Sequence, residues 1–258
     1  MKRAIGLFLL AASAAMDASA VTVVGNAGSL GANGVVTLPP NGDTSYGWVS
    51  TYGGAPGGGL PYIVPGINGG IGNTNGSILR SDPFSANAGE DLQFWFNYVT
   101  SDGAGFADYG WARLLDASYN EVALLFTART KPSGSIVPGF GMPTPLATLL
   151  PVAVPIISGA PAWAPLGISS TTCFGTGCGY TGWVQANYSI TSAGTYSVEY
   201  GATNWSDSYF DSGLAFSGLT IEGAPINTQV VPVPAAAWLF GSGLTVLACA
   251  FRRRSMAA

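Results

Sequence analysis

The sequence predicts an all-β fold: a β-sandwich of jelly-roll-like type, flanked by an N-terminal signal helix and a C-terminal transmembrane helix. Short apolar segments recur at intervals of roughly ten to fifteen residues, and between the two ends no longer segment keeps the helical period of about 3.6 residues. The clearest strand is Asp91–Thr100, in which Leu92, Phe94, Phe96 and Tyr98 share one face. Large residues also occupy its other face, which is typical of a central strand in a sandwich.

The remaining predicted strands follow with short connections, as in an antiparallel meander. The regular part of the fold is predicted to begin at Ser77–Phe84. The further strands are Tyr109–Leu115, Glu121–Thr130, Gly182–Ile190, Gly194–Thr203 and Ser212–Ile221. Residues 21–76 are rich in glycine, and we predict that they form an irregular part with short strands such as Val35–Leu38 and Tyr46–Tyr52. A disordered segment is the alternative, but aromatic side chains give this part apolar surface that disordered segments lack.

Residues 132–165 are apolar and carry prolines at intervals of about four to six residues, which exclude a regular helix or a membrane span. We predict a long extended loop packed on the sandwich. Such a loop either has a function or covers an edge of a sheet. With it, residues 21–222 form a single domain.

The first residues have the three parts of a secretory signal peptide over 1–20. A basic start precedes an apolar core at residues 4–15 and an A-x-A cleavage site from Ala18 to Ala20. We therefore expect export through the secretion translocon and cleavage by signal peptidase.

The end of the chain has a proline motif, an apolar helix and a basic cluster in that order. Residues 235–251 include no charge, and their 17 residues approach the roughly 20 that a helix needs to cross a bilayer. Basic residues after the helix are expected to stay on the cytoplasmic side. The motif and the cluster are Val231, Pro232, Val233 and Pro234, and Arg252, Arg253 and Arg254.

This order resembles the PEP-CTERM sorting domain of Gram-negative bacteria, with residues 232–258 as the tail and 223–231 as a spacer. The resemblance implies processing by exosortase, a membrane-embedded cysteine transpeptidase that cuts near the proline motif, in a host whose genome is rich in exopolysaccharide genes. The family's Pro-Glu-Pro is here Pro232-Val233-Pro234, so the carboxylate is absent. A plain single-span membrane anchor is the alternative.

Composition narrows the function classes. Between the two targeting segments, four basic residues face twelve carboxylates, a net charge of −8, which disfavours binding to nucleic acid or to anionic lipid. Histidine is absent, so the usual catalytic triads and most zinc and copper sites are excluded. Catalysis would need paired carboxylates, as in glycoside hydrolysis, and we expect no enzyme and no cofactor.

Cys173 and Cys178 are separated by a short loop, while Cys249 lies in the tail helix. In an oxidising compartment this spacing favours a disulfide. Half of a metal site is the alternative, although no second pair of cysteines or histidines could complete it.

Two groups of residues are candidate binding sites. Asp102 and Asp108 could contribute oxygen ligands to calcium, whereas aspartates that cap their own turns are the ordinary explanation. A mixture of aromatic rings, amides and carboxylates could bind a glycan, although aromatic residues of β proteins also form cores. That mixture is Asn204, Trp205, Asp207, Tyr209 and Asp211.

These features predict a non-catalytic exported protein of the cell surface or extracellular matrix, associated with a biofilm or exopolysaccharide. It would pass through the inner membrane, held by its C-terminal helix, before exosortase cleaves the tail. The alternatives are a carbohydrate-binding module that uses the aromatic loop and a membrane-anchored envelope protein whose tail is not processed.

Overall fold

The computed structural model describes residues 21–57, 73–106 and 108–229. The predicted signal sequence with Ala18 and Ala20, and the predicted tail from Val231 onward, lie outside these residues. Within the part described, no helix is both long and apolar enough to cross a bilayer.

Antiparallel strands form two sheets, one of seven strands and one of nine. In chain order they are β1 (Thr22–Val24), β2 (Asn26–Leu30), β3 (Tyr46–Ser50), β4 (Ala55–Pro56), β5 (Asn73–Arg80), β6 (Phe84–Ala86), β7 (Asp91–Thr100), β8 (Tyr109–Asp116), β9 (Glu121–Arg129), β10 (Thr148–Leu150), β11 (Ile157–Ser158), β12 (Gly179–Tyr180), β13 (Val184–Ser189), β14 (Gly194–Trp205), β15 (Ser212–Ile221) and β16 (Ala224–Pro225). A 3-10 helix at Ala164–Ser169 precedes β12.

The strand order is β1-β5-β14-β8-β9 in the seven-stranded sheet and β10-β13-β7-β15-β3-β2 in the nine-stranded sheet. The pairing is nested along the chain: β3 pairs with β15, β5 with β14, β7 with β13, and β8 with β9. Two further pairs, β7 with β15 and β8 with β14, join these hairpins within the sheets. The predicted all-β sandwich is confirmed at this level.

Stacked aromatic rings join the two sheets across the core. The ring of Phe96 on β7 stacks on that of Phe126 on β9, with centroids 3.8 Å apart, and Tyr200 on β14 stacks on Phe216 on β15 at 4.0 Å. All four side chains are fully buried. Each aromatic side chain removes a large apolar area from water, so these contacts hold the sheets face to face.

The central strands match their predicted positions. β7 and β15 have the predicted bounds, and β8, β9, β13 and β14 differ by one or two residues at their ends. The predicted segment Ser77–Phe84 is shifted by four residues relative to β5 and reaches the first residue of β6. On β7 the predicted inward residues Leu92, Phe94 and Phe96 have no exposed surface. The alternation of side chains across a strand is therefore sufficient to locate these elements.

The glycine-rich start is more regular than predicted. Residues 21–57 contribute β1, β2, β3 and β4, and β3 is an interior strand of the nine-stranded sheet. Val35–Leu38, predicted as a strand, forms only a single bridge between Asn33 and Val36. Gly28 on β2 lies so close to the indole of Trp48 on β3 that a Cβ there would be 2.7 Å from the ring. Here glycine makes room for a neighbouring ring rather than marking a loop.

The proline-rich segment 132–165 closes one side of the sandwich. Its strand β10 forms the edge of the nine-stranded sheet beside β13, while the amides of Leu146 and Ala147 donate to β9, the edge of the other sheet. Ile136, Val137, Leu149 and Val154 are buried in the core. Of the two roles considered for this segment, the structure supports the covering of sheet edges.

The last described residues return along β15. β16 pairs with Thr220 and Ile221, and the amide of Ile226 donates to the carbonyl of Leu219. Residues 224–229 therefore lie at the end of β15 that is remote from Ser212.

Candidate functional site

Three loops meet at one end of the sandwich. The β7–β8 loop and the β14–β15 loop lie together there because Ser212 at the start of β15 pairs with Thr100 at the end of β7. Gly179 at the start of β12 also pairs with Thr100, which brings the preceding loop 173–178 to the same place. The strand order thus collects segments far apart in the chain.

Backbone hydrogen bonds hold these loops to one another. The amide of Ser101 donates to the carbonyl of Asp211 at 3.1 Å, and the Ser101 carbonyl accepts from the amide of Phe174 at 3.0 Å. The amide of Ala104 donates to Thr176 at 2.9 Å. The loop that supplies Phe174 is further closed by the disulfide between Cys173 and Cys178, whose Cα atoms are 5.8 Å apart.

The three loops surround a small open pocket of about 140 Å³, called here the end pocket. Its rings stand at steep angles to one another: Phe106 and Phe174 have centroids 5.3 Å apart at 81°, and Phe174 and Phe210 are 5.2 Å apart at 51°. The lining residues are Asp102, Phe106, Phe174, Asp207, Tyr209 and Phe210.

The β14–β15 loop directs its rings with an unusual backbone. Phe210 has φ 57° and Ser206 has φ 75°, in the left-handed region that bulky residues rarely adopt. The amide of Tyr209 donates to Oδ1 of Asp207 at 2.9 Å, which closes an Asx-type turn. Tyr209 is 74% exposed, so its ring stands at the rim of the pocket.

Asp102 is the buried carboxyl of the pocket. Only 2% of the residue is exposed; Oδ1 accepts from the amide of Gly103 at 2.8 Å, and Oδ2 has no hydrogen-bond partner among the described residues. Burial raises the pKa of Asp102 to about 7, and the negative charge of Asp207 acts in the same direction. At neutral pH this carboxyl is poised between its two protonation states.

Asp108 lies behind the pocket and is bonded within the protein. Its Oδ1 accepts from the amide of Trp205 at 2.9 Å, and Oδ2 is 2.8 Å from the hydroxyl of Ser212. Burial, followed by the charge of Asp102, raises the pKa of Asp108 well above its usual range. A protonated Asp108 can donate to Ser212, whose single hydroxyl hydrogen then serves Thr100 at 2.7 Å.

Three of the predicted glycan residues do not line the pocket. Asp211 is buried, and its two oxygens accept from Thr51 at 3.0 Å and Ser169 at 2.7 Å. Asn204 is also buried and donates to Asn75. The ring of Trp205 packs beside Arg129, whose Cζ is 4.9 Å from the ring centroid. Asp207 and Tyr209 of that group do face the pocket.

The predicted calcium ligands Asp102 and Asp108 are close enough for the charge of Asp102 to raise the pKa of Asp108, but they are not joined by further acidic ligands. Among residues 21–57, 73–106 and 108–229, no group of three or more Asp, Glu, Cys or His side chains is arranged to hold a metal. The acidic residues Glu90 and Asp91 lie at the other end of β7, about 30 Å from Asp102 for a strand of ten residues. They are too far away to share an ion with Asp102 and Asp108.

Sequence reasoning missed Phe106 and Phe174, which belong to two other loops. Each is an aromatic residue next to a glycine, in the segments Gly105-Phe106 and Phe174-Gly175. An aromatic ring in such a loop has no strand face to pack on, and this signal could have identified both.

A second hollow of about 400 Å³ lies beside the far end of β15. Its lining is mixed polar and apolar, and Oδ2 of Asp43 accepts from Ser217 at 2.6 Å and from Asn41 at 2.7 Å. The carboxylate is therefore already bonded within the protein.

Comparison of the chain with models of known protein families finds no match, and no curated protein matches it.

Proposed function

We propose that this chain is a non-catalytic, exported protein of the cell surface or extracellular matrix whose β-sandwich binds carbohydrate in the end pocket. The observation that carries the proposal is the convergence of four aromatic rings and two carboxyl groups from three separate loops. Rings held open to solvent at a loop junction contribute little to the core, since Phe174 and Tyr209 are 51% and 74% exposed. Exposed apolar side chains grouped in this way are typical of binding sites.

The chemistry of the pocket suits a sugar ring. The CH groups of a pyranose can pack on the faces of Phe174 and Tyr209, while the hydroxyl groups donate to Asp102 and Asp207. The pocket volume of about 140 Å³ fits one sugar unit in an open site, with the rest of a chain passing over the rim.

Export and sorting complete the proposal. The signal peptide over 1–20 would direct the chain to the secretion translocon, and the tail over 232–258 would make it a substrate of exosortase. A membrane-anchored envelope protein with an uncut tail is the second candidate. We also infer that the sandwich is of the jelly-roll kind; the nested strand pairing of β3 with β15, β5 with β14, β7 with β13 and β8 with β9 supports it.

A non-catalytic role is favoured by the inventory of side chains. The chain has no histidine, and Asp108 behind the pocket is fully engaged with Trp205 and Ser212. A pair of free, facing carboxyl groups, which glycoside hydrolysis requires, would have to come from Asp102 and Asp207 alone.

The glycan-binding function is tested by screening the mature domain on a glycan array and titrating the best ligand. Tyr209→Ala and Phe174→Ala should each weaken binding by about tenfold, as expected for the loss of a stacking ring. The matched control is Tyr119→Ala, which removes an exposed tyrosine from the β8–β9 loop at the opposite end. Equal binding by all three variants would contradict the proposal.

The sorting function is tested by the intact mass and cell fraction of the mature protein in its host, with and without exosortase. Loss of the residues after the proline motif only in the presence of the enzyme is the expected result. A tail retained in both strains would favour the plain anchor.

A further inference from the structure

The end pocket is electrostatically one-sided. It has two carboxyl groups, and none of the ion pairs among described residues involves them: Arg80 and Arg113 bind Glu199, and Arg113 also approaches Glu121. Oδ2 of Asp102 remains a buried oxygen without a hydrogen-bond partner in the described chain. A buried carboxylate in this state lacks the compensation that proteins ordinarily provide.

The aromatic walls have the geometry that attracts a cation. Phe174 packs against Phe106 at 5.3 Å and 81° and against Phe210 at 5.2 Å and 51°, and all three rings line the pocket beside Asp102. The negative face of an aromatic ring attracts an ammonium group, and cages of such rings are the common means of recognising alkylated ammonium ions. Phe106, Phe174 and Phe210 therefore add to the attraction of the carboxyl groups.

We propose that the end pocket binds a positively charged ammonium group of its ligand, with Asp102 as the carboxylate partner and Phe106, Phe174 and Phe210 around it. This inference rests on the end pocket being the binding site of the proposed function, and it names the class of sugar: one with an unacylated amino group. A neutral sugar would leave Oδ2 of Asp102 without a charged partner, whereas an ammonium group would neutralise it.

The protonation behaviour of Asp102 agrees with this assignment. With a pKa raised to about 7 by burial, Asp102 is easily protonated in the empty pocket, and a bound cation would favour its ionised form. The charge of Asp207 also raises the pKa of Asp102, and Asp102 in turn raises the pKa of Asp108 behind the pocket. An ammonium ligand of fixed charge should therefore bind more tightly as pH rises from about 5 to about 8.

The test compares ligand pairs that differ in charge. Choline is titrated against 3,3-dimethylbutan-1-ol, which replaces the ammonium nitrogen with carbon, and a β-1,4-linked glucosamine tetramer is titrated against its N-acetylated form. We expect choline and the glucosamine tetramer to bind at least about tenfold more tightly than their neutral counterparts.

The protein variants separate charge from fold. Asp102→Asn keeps the acceptor for the amide of Gly103 but removes the charge, and should lower choline affinity about tenfold and abolish its rise with pH. Asp91→Asn, at the opposite end of β7, makes the same change in net charge and should leave choline binding unchanged. Phe174→Leu should weaken choline binding while the thermal unfolding temperature stays close to that of the parent protein.

The outcomes distinguish this inference from the function on which it rests. If neutral glycans bind as tightly as the glucosamine tetramer and Asp102→Asn has no effect, the ammonium assignment is wrong and the glycan function stands. Binding of choline without binding of any glycan would support the ammonium site and overturn the carbohydrate function. If neither these probes nor any glycan of the array binds, both are wrong.

Discussion

The phenyl ring of Phe174 has its centroid 5.2 Å from that of Phe210, although the two residues are separated in the chain by β12, β13 and β14. Phe174 lies inside the disulfide loop, and the backbone of Phe210 adopts the left-handed conformation. The shape of the end pocket thus depends on a covalent constraint in one loop and an uncommon backbone conformation in the other.

Loss of the disulfide should therefore affect ligand binding more than it affects stability. A cross-link over so short a loop is expected to stabilise the fold by about 2 kcal/mol or less, whereas it fixes the position of Phe174 directly. The double variant Cys173→Ser with Cys178→Ser, and the parent protein under reducing conditions, should lose most affinity while the unfolding temperature falls only slightly. Calorimetric titration beside thermal unfolding measures both effects. Unchanged affinity would mean that backbone bonds alone hold the loop.

The stability of the ligand-free protein should fall as pH rises from about 4 to above 7. The pKa of Asp102 is raised from 3.8 to about 7, so the folded protein retains a proton that the unfolded chain has lost over this range. The stabilising contribution is complete below the unfolded pKa and disappears as pH passes the folded one. Because each unit of pKa corresponds to about 1.4 kcal/mol, the effect is on the order of a few kcal/mol.

Urea unfolding at several pH values checks this dependence. Asp102→Asn cannot ionise, so its stability relative to the parent should rise with pH through the same window. Asp91→Asn is the control, because its side chain is exposed. A constant difference between Asp102→Asn and the parent from pH 4 to 8 would contradict the assigned burial of the charge.

Removal of the Glu199 carboxylate should be among the most damaging single changes in the sandwich. Glu199 has no exposed surface and binds the guanidinium groups of Arg80 and Arg113, each at 2.6 Å. Glu199→Gln removes the charge that both guanidinium groups bind most closely, and breaking a buried ion pair in this way costs about 3–5 kcal/mol. Denaturant unfolding of Glu199→Gln measures this loss.

Glu121→Gln is the matched control for that change. Glu121 approaches Arg113 only to 3.7 Å and is partly exposed, so its loss should cost about 1 kcal/mol or less. Equal effects of the two substitutions would mean that the burial of Glu199 does not increase its contribution to the free energy of unfolding.

Calcium should leave the stability of the described domain unchanged. Asp108 already bonds to Trp205 and Ser212, and Asp102 supplies one free oxygen, too few ligands for an ion that takes six to eight. We expect the unfolding temperature in millimolar calcium to lie within about 1 °C of that in chelator, since an ion that does not bind cannot stabilise. A clear rise of the unfolding temperature in calcium would contradict this expectation and support Asp102 and Asp108 as calcium ligands.

The sequence was most informative where side-chain alternation reflects burial. β7 and β15 are each buried against the other sheet along one face, so their pattern located them to the residue. β2 was missed because Asn-Ala-Gly-Ser-Leu has no β-branched residue, and its pairing with β3 and the indole of Trp48 forms the strand. Tertiary contacts can override a weak local preference.

The candidate site was predictable only in part. Asp102, Asp207 and Tyr209 were found because they lie in turn-rich loops with chemically useful side chains. Their meeting with Phe106 and Phe174 depends on which strands pair, and composition carries no such information. Asp211 was predicted to bind a glycan because it lies in the same loop. It is instead buried and accepts hydrogen bonds from Thr51 and Ser169.

The direction of β15 determines how the protein would face its surroundings. The strand begins beside the end pocket and finishes about 30 Å away, where residues 224–229 lie. A membrane tether joined to the chain after residue 229 would attach the domain at the end remote from the end pocket. The pocket would then face away from the membrane. A cut in that tether would release the domain with its ligand still bound. The anchored and the released forms would therefore recognise the same ligand.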